Sequence, residues 1–138
     1  MKDFKEEYLR ILCEERSSTL EATRNRLRRE RMELINAIPE DQNKKEKLLG
    51  VLKYAIKPDV LIVISEKMSF SNLEEFEEAY RELLAKKTCS GKERGGIEET
   101  KIAIVKKAIN SGIPKEKIKG FVMKNEKIKE TIEEIKQL

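Results

Sequence analysis

At alternating spacings of four and three, Leu20, Arg24, Leu27, Arg31, Leu34 and Ile38 fall on one side of an α-helix, as in the seam of a coiled coil. Two of the six are arginines. A dry core does not accept an unpaired guanidinium, so any fold that buries this seam has to bring an anion to it, and a fold that does not must leave it wet. The same stretch, TRNRLRRER from Thr23 to Arg31, packs five arginines into nine residues. Arg28 lies beside the seam while Arg26 and Arg29 point elsewhere, so this helix is basic on more than one side.

Helical spacing recurs along the rest of the chain and predicts an all-α fold. Phe4, Tyr8, Ile11 and Leu12 share a face of a first helical region reaching from about Lys2 to Ala37. Ser18 followed by Glu21 has the form of a capping box, so a break near Ser17 and Ser18 is open. Pro39 to Asp41 marks a turn. Asn43 to Ile56 reads as a second helix with Leu48, Leu49, Leu52 and Ile56 inward, and Pro58 suits the start of the next. Val60 to Ile64, VLIVI, has the β-branched content of a strand. No other segment offers that strand a partner for its backbone, so helix is the expectation. Ser71 with Glu74 forms another capping box, ahead of Leu73, Phe76, Tyr80, Leu83 and Leu84 at burial spacing; Glu74, Glu75, Glu77, Glu78 and Glu82 line the opposite side. KKTCSGKERGG, from Lys86, has no periodic apolar residue. Residues 87–97 are therefore expected to link a helical bundle, 1–86, to a three-helix lobe, 98–138.

The composition narrows the functional classes. Charged residues make up 41% of the 138, with both signs interspersed, which suits exposed helical faces rather than disorder. No apolar run reaches the length of a membrane span, and the N-terminal residues are interrupted by charge too often for a signal peptide, so a cytoplasmic protein without a membrane partner is expected. The net charge of +4 is uneven: residues 1–57, 58–100 and 101–138 carry +3, −4 and +5. Two basic ends flank an acidic middle. There is no histidine and only Cys13 and Cys89 as thiols, too few ligands for a zinc site, so neither metal nor cofactor is expected.

Three readings of the arginine stretch compete. In the first, the helix is simply solvated and its arginines pair with Glu21, Glu30 and Glu33. In the second, Arg24, Arg26, Arg28, Arg29 and Arg31 contact nucleic-acid phosphates, bidentately and with a steep salt dependence. In the third, the mixed Leu/Arg seam docks on an acidic protein surface, with the glutamates of residues 71–86 as an internal option. A homodimer through the seam would need acidic residues opposite Arg24 and Arg31.

The C-terminal stretch has Ala108, Gly112, Ile113, Ile118 and Phe121 at the positions of a small residue, a turn glycine and packing residues. Gly112 is placed to end a helix with φ > 0 and Pro114 to begin another; Asn125 is expected to cap a last helix bearing Ile128, Ile132 and Ile135. In these residues the stretch resembles a helix-turn-helix, and it is similar to the short helical tail of the recombination-promoting nuclease (putative transposase) family. The resemblance covers 98–138 alone, and no residue upstream matches that family's nuclease domain. It implies a nucleic-acid-binding lobe, in which Lys115, Lys117, Lys119 and Lys124 would position the protein on phosphates; the favoured alternative is a plain three-helix lobe, since Glu126, Glu130, Glu133 and Glu134 would give the last helix a face that repels DNA. Base reading prefers Arg, Asn or Gln, and Lys107 and Ser111 stand where a helix-turn-helix usually has apolar residues.

An enzyme is not expected. No histidine is present to act as base, and SGK at Ser90 to Lys92 lacks the earlier glycine of a phosphate loop and follows a helix rather than a strand. The leading expectation is a small non-enzymatic protein, or a subunit of a nucleoprotein complex, that binds DNA or RNA. The rival is an inhibitor or adaptor of the kind mobile genetic elements carry, docking through Leu20, Arg24, Leu27, Arg31 and Leu34 and through Glu74, Glu77 and Glu78.

Overall fold

A computed structural model of the chain describes residues 3–86 and 90–138. Among them are eight helices and no strand: α1 (Phe4–Ser17), α2 (Glu21–Asn36), α3 (Lys44–Tyr54), α4 (Pro58–Lys67), α5 (Leu73–Leu84), α6 (Gly91–Asn110), α7 (Lys115–Asn125) and α8 (Lys129–Lys136). None is long and apolar enough to cross a membrane, among the described residues.

The N-terminal region does break at Ser18, where α1 and α2 fold into a hairpin. The break is not the expected capping box. The Ser18 hydroxyl accepts from the Leu20 amide at 3.3 Å, a short turn, and Leu20 itself precedes the helix with no side-chain cap. The VLIVI segment is helical. Pro58 occupies the first turn, where its missing N–H costs nothing, and Val60, Leu61 and Ile64 are buried while Ile62 stands exposed, which is a helical and not an alternating pattern.

The linker ends sooner than expected. Residues 91–97 are the first two turns of α6, opened by Ser90, whose hydroxyl accepts from the Glu93 amide at 3.2 Å. Gly91, Gly95 and Gly96 disguise this start, since glycine is a poor helix former. Gly96 has a packing reason: a Cβ there would lie 2.7 Å from the Pro58 ring, so the bare backbone lets α6 close on α4. Residues 87–89 of the expected linker lie outside the described residues. Beyond them α6 packs on α4 and α5 as well as on α7 and α8, and the buried apolar side chains other than Ile11 and Leu27 form one cluster running from Tyr8 to Ile135.

Two capping expectations shift by a few residues. Asn72, not Ser71, caps α5: its side chain accepts from the Glu75 amide at 3.0 Å, and the Glu75 carboxylate accepts from the Ser71 amide. Asn125 does not cap the last helix. It ends α7, donating to the Phe121 carbonyl, and it is the Glu126 carboxylate that accepts from the Lys127 and Ile128 amides ahead of α8. At the other end of α7 the expectation holds. Gly112 has φ 92°, and the amides of Gly112 and Ile113 return to the carbonyls of Ile109 and Ala108, which satisfies the end of α6.

Lysines finish four helices from outside. Lys67 donates to the Asn36 carbonyl of α2, Lys86 to Leu52 and Lys53 of α3, Lys107 to Met68 after α4, and Lys119 to Lys136 of α8. Each ammonium meets the negative end of a helix dipole. Burial against α3 lowers the Lys86 ammonium to about 8, and burial lowers Lys107 as well.

Candidate functional site

The hairpin separates the five arginines. Arg31 points inward and is almost completely buried, its guanidinium clamped by both Glu15 oxygens at 2.7 and 3.0 Å and donating to the Tyr8 hydroxyl at 3.0 Å. Its carbon also sits 5.7 Å from the Tyr8 ring centroid. Burial works against the Arg31 charge, but the Glu15 bonds and Tyr8 outweigh it and hold the guanidinium above its ordinary value; burial raises the Tyr8 phenol. Arg31 therefore has no free donor face for a phosphate and leaves the expected set of binding residues. The anion the seam required comes from α1, not from the acidic helix.

Leu27 and Ile38 are buried beside Arg31, and Leu34 is half-buried, so the seam is filled from within the chain. A second protein cannot occupy it there. At its N-terminal end Leu20 is 67% exposed and Arg24 lies in solvent. Arg26 and Arg29 are also exposed, and Arg28 makes only a loose pair with Asp59 of α4, 3.6 Å between two groups open to water. Among the described residues Arg24, Arg26 and Arg29 make no ion pair. The pairing with Glu21, Glu30 and Glu33 that a plain solvated helix would use is not formed.

The other proposed residues divide in the same manner. On α7, Lys115, Lys117 and Lys124 are exposed without ion pairs among the described residues, whereas Lys119 is committed to the end of α8 at 2.9 Å. On α5, Glu74 and Glu78 face solvent, but Glu77 is half-buried against Arg81 at 3.4 Å. Because α2 packs on α1 and α4 while α7 packs on α5, α6 and α8, the arginines and lysines belong to different parts of the surface.

A second buried cation went unrecognised in the sequence. Lys101 of α6 bonds the Glu126 carboxylate at 2.9 Å and Glu98 at 3.0 Å, with its ammonium 5.9 Å from the Tyr80 ring centroid. Tyr80 donates to Glu126 at 2.6 Å and Thr131 to Glu98 at 2.5 Å. Burial raises the Tyr80 phenol strongly, and the Glu126 bond adds to it; Glu126 is held below the usual carboxylate range because the bonds from Tyr80, Lys101 and the Ile128 amide outweigh its burial. No buried side-chain polar atom among the described residues lacks a partner. The signal was available: Lys101 follows Ile97 by four and precedes Ile104 by three, so it lies on an apolar face, as Arg31 does.

An open cleft of about 520 Å³ lies beside this cluster, with Lys86, Arg94 and Lys127 at its walls. Among the described residues no three acidic or thiol side chains converge to hold a metal ion. No family model, curated protein or solved structure matches this chain.

Proposed function

We propose that this is a non-enzymatic nucleic-acid-binding protein that grips phosphates with the outer arginines of α2: Arg24, Arg26, Arg28 and Arg29. The observation that carries the reading is that Arg24, Arg26 and Arg29 stand exposed and unpaired among the described residues, on a helix whose inner side is locked by Leu27, Ile35 and the Arg31 clamp. A guanidinium that already has its carboxylate gains little from a phosphate. One that has none gains a charge-assisted, two-pronged bond. The hairpin adds to this, since the arginines are carried on a helix already formed and packed on α1.

Phosphate contacts predict a steep salt dependence rather than a sequence preference. With about four contacts, affinity for duplex DNA should fall by about a hundredfold between about 50 and 200 mM salt. Replacing Arg24, Arg26 and Arg29 together by Gln should reduce the slope of log affinity on log salt by about 2 to 3. Titration of the wild-type and triple-variant proteins into labelled single- and double-stranded DNA and RNA measures both quantities. No binding at the lower salt, or binding indifferent to the three substitutions, overturns the reading.

A further inference from the structure

We infer that the groove between α5 and α7 is a second phosphate-contacting site, built from Arg81, Lys117 and Lys124; this rests on the nucleic-acid reading above. The groove is an open depression of about 400 Å³ lined by Leu73, Glu77, Arg81, Lys117, Gly120, Phe121, Lys124 and Asn125. Three of those side chains are cations. Glu77 is the one carboxylate among them, and its 3.4 Å pair with Arg81 leaves the arginine largely in solvent. Lys117 and Lys124 have no ion pair among the described residues.

The geometry suits an extended anion better than a compact one. Lys117, Gly120, Phe121 and Lys124 recur at three, four and seven residues and therefore share one face of α7. The two lysines are separated along the axis by about 10 Å, so each can meet a different phosphate of one strand. Between them Gly120 contributes no side chain, and nothing lies within 4 Å of where its Cβ would be, so the floor of the groove is bare. Opposite, the Arg81 guanidinium rests 5.2 Å from the Phe121 ring centroid, and Phe121 is itself packed edge-on against Phe76 and Tyr80. That contact holds the guanidinium beside the ring, and apart from the Nη2 group that donates to Glu77 its N–H groups remain open to a phosphate oxygen.

The test is a titration of the ¹⁵N-labelled protein with an eight-nucleotide oligothymidylate, followed by backbone amide shifts. Shifts are expected on α7 around Lys117 to Lys124 and on α5 around Arg81, together with those on α2. In Gly120→Glu the groove floor gains a carboxylate and the helix a better helix former, so the fold should persist while the α7 and α5 shifts vanish. Lys117→Gln with Lys124→Gln should weaken the oligonucleotide several-fold and lower its salt slope by about 1.4, at about 0.7 per single-strand contact. Shifts confined to residues 24–29 overturn the groove and leave the α2 reading intact. Shifts confined to α5 and α7 support the groove and remove the α2 arginines. No shift in either place overturns both. An eight-residue oligoglutamate that moves the same amides at lower concentration would identify the groove as a dock for an acidic protein, and the phosphate proposal would fall.

Discussion

Arg31 and Lys101 both stand where helical spacing leads one to look for an apolar side chain, and each is buried beside a tyrosine and a glutamate. They differ in how completely water has been removed and in how many partners depend on them. Glu15, the partner of Arg31, keeps 12% of its side-chain surface, and the clamp joins only α1 to α2. Of the partners of Lys101, Glu98 keeps 18% but Glu126 only 1%, and the cluster gathers α5, α6, the segment before α8 and Thr131 of α8. Lys101 also faces two carboxylates rather than one. A buried cation at the edge of a hairpin positions that hairpin, whereas one at the meeting point of four segments holds the C-terminal half in register.

The largest expected effect follows from that difference. Lys101→Met leaves Glu126 without its cation in a nearly dry site and should cost about 3–5 kcal/mol by urea unfolding. Adding Glu126→Gln to it should recover part of the loss, because the stranded charge is then gone. If the double variant is no better than the single, the loss comes from packing rather than from unpaired charge, and the contrast with Arg31 weakens. Arg31→Met should cost less, about 2–3 kcal/mol, since Glu15 can turn to water. Arg31→Lys should restore only part of that, because a single ammonium cannot reproduce the fork on both Glu15 oxygens and Tyr8. A Lys101→Met no more harmful than Arg31→Met would break the comparison.

The pH dependence separates the two clusters further. Glu126 is held below the usual carboxylate range when folded. Its contribution is therefore complete above the ordinary value of 4.5 and is lost as pH falls through the folded value. Both tyrosines are raised, Tyr80 strongly. Their contribution is complete below the ordinary value of 10.0 and is lost as pH rises past it, because the unfolded chain ionises first. Unfolding measured across pH should show Glu126→Gln flattening the acid limb. Tyr80→Phe should flatten the alkaline limb more than Tyr8→Phe does. An acid limb unchanged by Glu126→Gln would remove the first assignment.

Much of this architecture was legible in the periodicity. VLIVI reads as a helix because nothing else in the chain can pair with it as a strand, and the structure has Ile62 outward between buried Leu61 and Ile64. The Gly112 turn was legible because its conformation is one that glycine favours. Local signals misled where tertiary packing overrode them. The start of α6 was hidden by glycines whose purpose, at Gly96, is the approach to Pro58, 38 residues earlier in the chain, and no local pattern records that contact. The Ser71 and Asn125 caps fail for a related reason: several polar residues near a helix end can supply the acceptor, and the chain path selects among them. At the candidate site, the expectation that an anion must meet the seam was sound, yet periodicity cannot say which glutamate supplies it. The same argument applied to Lys101 would have found the second cluster.

The smallest expected effect on stability is also the one that ties structure to function. Replacing Arg24, Arg26 and Arg29 by Gln removes exposed groups without ion pairs among the described residues, so unfolding free energy should change by no more than about 0.5 kcal/mol. Arg31→Met, within the same helix, should show the reverse profile. It loses stability, but under conditions where the variant remains folded it should retain most of the salt-dependent affinity for nucleic acid, because Arg31 offers no open donor to a phosphate. Urea unfolding and a salt titration on the same two proteins give four numbers. If Arg31→Met lowers the salt slope as much as the outer substitutions do, the clamp must open on binding, and the division of this helix into an anchoring side and a binding side is wrong. If the outer variant is itself destabilised well beyond about 0.5 kcal/mol, those arginines contribute to the fold, and their exposure no longer argues for a phosphate partner.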